Sequence, residues 1–181
     1  MELIKTDIKD LFIIEPKIFY DDRGYFYESY NEKAFLELGL NYKFVQDNES
    51  KSTKGVLRGL HFQKTYQQAK CVRVIKGEVF DVAVDLRKYS ITYGKYFGVI
   101  LNEVNHRMFM IPRGFAHGSL VLSDEAIFSY KCDDFYHPND EGGIIYNDPT
   151  INVKRPKIDS DIILSVKDKN HPTLHETGIK L

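Results

Sequence analysis

The sequence predicts an all-β domain, a double-sheet jelly-roll β-sandwich, on three observations. Short apolar runs of strand length recur through the middle of the chain, turn signals separate them, and only one stretch carries a convincing helix pattern. The 181 residues form a single domain, 1–181, long enough to bury a core without disulfide staples.

One helix is convincing. In "SYNEKAFLELG", Ser29 with Glu32 offers a capping box, or Asn31 caps instead. Phe35 and Leu38 face inward, and Gly39 supplies the stop. "VLRGLHFQ" (Val56 to Gln63) is a strand. Strict alternation places Arg58 and His61 on opposite faces, unless Gly59 breaks the pleat as a bulge. "CVRVIKGEVFDVAVDL" is two strands about a Lys76-Gly77 turn. In its second half Phe80, Val82, Val84 and Leu86 share one face, and Val79, Asp81, Ala83 and Asp85 the other. "KYFGVIL", "RMFMIP", "SLVL" and "AIFSYKC" complete the strands. From Asn152 the tail is charged and holds Pro156 and Pro172, so loops with a short helical turn are expected. One or two short peripheral helices are expected in all.

A composition of 43% hydrophobic and 28% charged residues is that of a soluble globular protein. The formal net charge of −1 argues against nucleic acid as partner. No signal peptide and no apolar run of membrane length is present, so a cytoplasmic, membrane-free protein is expected. Cys71 and Cys132 lie in strand-like runs and read as buried, reduced thiols.

Chemistry concentrates in few residues. Of six histidines, His61 and His117 each lie near glycine in apolar strand or strand-entry sequence. His106, His137, His171 and His175 fall in polar turns or the tail, where solvation is the default. Arg58 and Lys70 are cations at strand positions, which costs desolvation unless an anion compensates. A jelly roll often holds a metal, but that needs convergent ligands such as a His-x-His pair with a carboxylate. No His-x-His occurs, so no metal is expected. Tyr130, Tyr136 and Tyr146 offer phenols for proton donation and rings for stacking.

The segments "DDRGYF", "VLRGLHFQ", "QAKCVRVIKGEVFDVAVDLR", "PRGFAHG", "YKCDDFY", "GGIIYNDP" and "LSVKD" stand in the order seen in dTDP-4-dehydrorhamnose 3,5-epimerases, and the chain resembles that family from about residue 3 to 174. The resemblance implies a cupin-like homodimer with exchanged N-terminal strands and no metal or organic cofactor. The implied substrate is a dTDP-linked 4-keto-6-deoxyhexose. It implies that His61 is the general base, paired with Asp168, and that Tyr130 is the general acid. Lys70 and His117 surround the sugar, and Arg58 takes a phosphate. Arg23 and Glu28 reach in from the neighbouring subunit. Gln46, Asp47 and Asn48 contact the nucleotide, Tyr136 stacks on the base, and Glu141 and Lys167 are further binding positions.

Ser119, Ile145, Tyr146 and Arg155 depart from the residues usual in the family, and "YQQAK" lacks a common proline. They leave open inversion of a single centre, C3 or C5 only, and a GDP-linked heptose as substrate. A non-catalytic sugar-nucleotide-binding jelly roll is a third reading. It is countered by the intact set of His61, Asp168, Lys70 and Tyr130.

Overall fold

In the computed structural model, which describes residues 1–181, two antiparallel sheets face each other. The strands are β1 (Glu2–Lys5), β2 (Phe12–Glu15), β3 (Phe19–Asp21), β4 (Gly24–Phe26), β5 (Gln46–Thr53), β6 (Leu57–Gln63) and β7 (Lys70–Lys76). They continue with β8 (Glu78–Asp85), β9 (Tyr96–Asn102), β10 (Met108–Ile111), β11 (Phe115–Val121), β12 (Glu125–Cys132) and β13 (Glu141–Gly143). One sheet runs β1-β2-β10-β7-β12-β5 and the other β13-β6-β11-β8-β9, while β3 and β4 form a separate hairpin. The jelly-roll expectation holds.

Alternation decides which side chains each sheet buries. On β8, Val79 and Ala83 join Val72, Val74, Phe109, Ile111 and Phe128 in the core between the sheets. Phe80, Val82, Val84 and Leu86 turn to the outer face, where the C-terminal segment covers them with Ile151 and Leu174. Burying each such side chain is worth roughly 1.5–3 kcal/mol. The outer face of the six-stranded sheet is covered by α1 (Glu32–Glu37), whose Phe35 packs with Ile14, Cys71, Met108 and Met110. Asn31, not Ser29, caps α1, its side chain accepting from the Ala34 amide at 3.2 Å. Gly39 ends it with φ +81°.

Besides β1–β4 and β13, which the strand reading does not place, three elements differ from expectation. The polar run Gln46–Thr53 is a full strand, paired with β12 along its whole length. Pairing with an apolar neighbour overrides its poor intrinsic propensity. The tail holds two short helices, α2 (Val166–Lys169) and α3 (Leu174–Thr177), so the chain has three α-helices rather than one or two. The strand expected from "SLVL" begins earlier, at Phe115, and includes His117. Both cysteines are buried and unbridged. No helix is long and apolar enough to cross a membrane.

Candidate active site

The open end of the sandwich holds a cavity of about 280 Å³ between the two sheets. It shares His61, Lys70, His117 and Tyr130 with an adjoining space of about 170 Å³ that Arg58 lines. Arg58 and His61 reach the same space because β6 is irregular. Ser119 pairs with Arg58, and His117 with His61, so Gly118 alone stands opposite both Gly59 and Leu60. This bulge shifts the alternation by one residue. Leu57, Leu60 and Phe62 go to the outer core, and Arg58 and His61 go inward. Gly59 sits at φ +104°, and a Cβ there would lie 2.5 Å from the His117 carbonyl oxygen.

His61 Nε2 lies 2.5 Å from Asp168 Oδ1. The helix α2 holds this carboxylate in place: Ser165 Oγ accepts from the Asp168 amide at 3.0 Å and donates to Asp168 Oδ2 at 2.8 Å. Burial alone raises the Asp168 carboxyl, but the hydrogen bond and charge of His61 and the Ser165 hydroxyl outweigh it and hold it below the usual range. An ionised carboxylate only accepts, which puts the ring proton on Nε2 and leaves Nδ1 as the basic nitrogen.

A second pair lies beside the first. His117 Nε2 meets Asp81 at 2.9 and 3.0 Å, and Asp81 is fully buried. Desolvation pushes the Asp81 carboxyl up despite His117 and Lys70. Asp85, on the same face of β8, differs in kind. It is saturated by Arg87, Ser90 and Thr92 and is structural.

The opposite wall comes from the six-stranded sheet. Lys70 and Tyr130 project from neighbouring strands, with Lys70 Nζ 5.7 Å from the centre of the Tyr130 ring. Burial lowers the Lys70 ammonium, against the pull of Cys132, Asp81 and Glu141. Burial raises the Tyr130 phenol, keeping it protonated. Gln46 and Asn48 extend this wall through the pairing of β5 with β12. Arg58 donates to Ser52 Oγ at 3.0 and 3.3 Å. At the rim, the Tyr136 hydroxyl donates to Glu141 Oε2 at 2.8 Å, and Lys167 pairs with the same oxygen. Burial pushes the Cys71 thiol up to about 12 and Cys132 up to about 11, so neither is a ready nucleophile.

Three expected site residues stand elsewhere in this chain. Asp47 alternates with Gln46 and Asn48, so it points outward and pairs with Lys131 at 2.9 Å. Arg23, at the tip of the β3–β4 hairpin, is 90% exposed and bound to Asp21. Glu28 accepts from Asn31 Nδ2 at 3.0 Å. Tyr146 belongs to the outer core under Arg155, away from Tyr130 and Tyr136.

Sequence reasoning missed Asp81, Ser165 and the buried Gln63, which accepts from the His137 amide and donates to the Tyr66 and Phe135 carbonyls. A carboxylate among Val79 and Ala83 on an inward face was the signal for Asp81, and Ser-x-x-Asp the signal for Ser165. The solvated reading fails for three histidines. His106 is buried beside Tyr25 and Tyr27, His137 stacks on Tyr66 at 3.9 Å, and His171 lies against His61.

A protein-family model described as dTDP-4-dehydrorhamnose 3,5-epimerase matches residues 5–176. The chain belongs to that family. It is 54% identical to the dTDP-4-dehydrorhamnose 3,5-epimerase of Methanothermobacter thermautotrophicus, over 98% of this chain and 97% of that one. It is 52% identical to the enzyme of the same name from Escherichia coli K12, over 97% and 96%. A crystal structure of dTDP-6-deoxy-D-glucose-3,5-epimerase from Legionella pneumophila, in complex with dTDP-4-keto-L-rhamnose, matches with a TM-score of 0.93 and 52% identity. That match covers 96% of this chain and 93% of the other. Membership of this epimerase family places the chain among the isomerases, and gives the facing walls of the cavity a chemical meaning.

Proposed function

We propose that the chain inverts C3 and C5 of dTDP-4-keto-6-deoxyglucose, giving dTDP-4-keto-rhamnose. The observation that carries this reading is the placement of His61 and Tyr130 on opposing sheets around one cavity. A C4 ketone acidifies the hydrogens at C3 and C5, because either carbanion delocalises into an enolate. The lone pair of His61 Nδ1 takes the proton from one face, and Asp168 stabilises the imidazolium that forms. Lys70 stabilises the enolate oxygen, an interaction worth ~3–4 kcal/mol in comparable oxyanion sites. Tyr130 returns a proton from the other face, which is what inversion requires.

The remaining residues suit binding. Arg58 has no carboxylate among its hydrogen-bond partners and is free to take the diphosphate. Tyr136 is half exposed at the rim and presents a ring to the base. His117, held by Asp81, faces the sugar. Asn48 and Gln46 suit the nucleotide, as do Glu141 and Lys167 at the mouth.

The reaction calls for no metal or organic cofactor, since proton transfers alone complete it.

We assign the chain a homodimer and a cytoplasmic location. The β3–β4 hairpin exposes Phe19, Tyr20, Tyr25 and Phe26, an apolar patch suited to a second copy. Arg23 and Glu28, off their own cavity, then fall to the partner's. Two buried free thiols fit a reducing compartment.

The test is to incubate the enzyme with dTDP-4-keto-6-deoxyglucose in D₂O, with and without chelator. Deuterium at both C3 and C5 of the inverted product, unaffected by chelator, is the expected result. Label at one carbon makes it a single-centre epimerase, and tight binding without exchange makes it a binding protein.

A further inference from the structure

We propose that His61, Asp168 and His171 form a site for a divalent transition-metal ion of the Zn²⁺ class, and that the bound ion reversibly inhibits turnover. One ligand atom from each residue lies within 4.8 Å of the other two. The His171 side chain is only 9% exposed, and its Nε2 is buried without a hydrogen-bond partner. An orphaned buried nitrogen is costly and rare. Here it lies 3.5 Å from Asp168 Oδ1. The His171 ring stands edge-on to that of His61, with centroids 5.6 Å apart. It occupies the space a side chain at position 143 would take, since a Cβ on Gly143 would meet it.

Two imidazole nitrogens and one carboxylate oxygen select zinc, cobalt or nickel over magnesium or calcium. Bonds of ~2.0–2.1 Å place neighbouring ligands about 3 Å apart, so His61 and Asp168 separate slightly while His171 closes in. His171 also lines a surface groove with Gly143, Lys167 and Asn170, through which an ion can approach.

The inhibitory step follows from proton balance and rests on the reading of His61 as the base. The ion takes the Nε2 lone pair, so the single ring proton moves from Nε2 to Nδ1. No lone pair then remains to accept the substrate proton. The residues proposed to bind the nucleotide are not ligands of the ion, so kcat falls while KM does not change.

The chelated enzyme is titrated with Co²⁺, followed by its visible ligand-field bands, and with Zn²⁺, followed by turnover. His171→Ala and His171→Phe are compared, the second keeping the ring volume without a ligand. One Co²⁺ per chain is expected, with Zn²⁺ lowering kcat alone, chelator restoring it and Mg²⁺ inert. Both variants keep basal turnover and require more than about tenfold more Zn²⁺, at least the loss typical of removing a supporting group from a metal site. A cobalt spectrum that does not depend on His171, or zinc inhibition unchanged in both variants, overturns the site. Cobalt binding that depends on His171 but leaves turnover intact upholds the ion site and removes the base assignment instead.

Discussion

Tyr130, on the six-stranded sheet, and His61, on the five-stranded sheet, line one cavity from opposing walls. A rigid imidazole serves one face of a sugar ring, so the proposed inversion divides between these two residues. His61→Ala is expected to abolish both deuterium exchange and epimerisation. Tyr130→Phe removes only a hydroxyl, so the base still forms the enolate and returns a solvent proton to the same face. That variant continues to exchange deuterium while forming little inverted product. The comparison is made at saturating substrate, so that a binding defect is not read as a chemical one. Epimerisation by Tyr130→Phe at the wild-type rate refutes the assignment.

Gly59→Ala tests the bulge that brings Arg58 and His61 together. The new Cβ lies 2.5 Å from the His117 carbonyl oxygen and 2.8 Å from Gly118 Cα, at φ +104°. Both obstacles are backbone, so β6 must shift from β11. A loss of ~1–3 kcal/mol is expected from the strained backbone alone, with a larger fall in kcat as His61 leaves Asp168. Gly39→Ala is the control: it has φ +81° but nothing within 4 Å of the added Cβ. It should lower the melting temperature and leave kcat alone. Wild-type kcat in Gly59→Ala would show that the bulge is dispensable.

What could be read from the sequence divides along a physical line. The apolar alternation of Phe80, Val82, Val84 and Leu86 reports its own burial, and β8 follows it residue for residue. The glycine inside "VLRGLHFQ" announces a broken pleat by its freedom at positive φ. Strand β5 has no such local signal, because Gln46–Thr53 is polar on both faces and is a strand only through β12. Asp47 was read with its neighbours Gln46 and Asn48 as one polar run, while a strand sends alternate residues to opposite faces. His171 looked solvated because the pocket that buries it is built by β13, a three-residue strand with two glycines, and by α2 in the charged tail. The Asp168 pairing with His61, across 107 residues, came from resemblance rather than from any local pattern.

Arg23 is the test of subunit exchange. Its hairpin tip is solvent-exposed and lies off its own cavity, yet "DDRGYF" matches an arm that completes the partner's site. Mixing inactive Arg23→Ala and His61→Ala proteins under conditions that exchange subunits should restore turnover. Each mixed dimer then carries one intact cavity of two. No recovery, with mixed dimers verified by mass, removes the shared site.

Lys70, proposed to stabilise the enolate, is expected to set the alkaline limit of turnover. Burial lowers its ammonium from the free-lysine value of ~10.4, whereas burial raises the Tyr130 phenol. As pH rises, Lys70 loses its charge earlier than a free lysine would, while Tyr130 holds its proton longer than a free phenol. The enolate loses its counter-charge, and kcat falls on a limb below the usual lysine range. Lys70→Arg keeps a cation that does not titrate there, so the limb should move upward even where misplacement lowers the plateau. The linkage sign runs with it: between the folded and unfolded pKa the unfolded chain binds the extra proton, so stability rises with pH across that window. Below the folded pKa the cost of the buried charge is fully present. Lys70→Met removes that cost, and should raise the melting temperature near neutral pH while reducing kcat by about 10²–10³. A pH–kcat profile of wild type and Lys70→Arg, with a melting curve of Lys70→Met, checks both. An alkaline limb unmoved by arginine assigns the titration to another group. A methionine variant less stable than wild type shows that Asp81 and Glu141 more than compensate the buried ammonium.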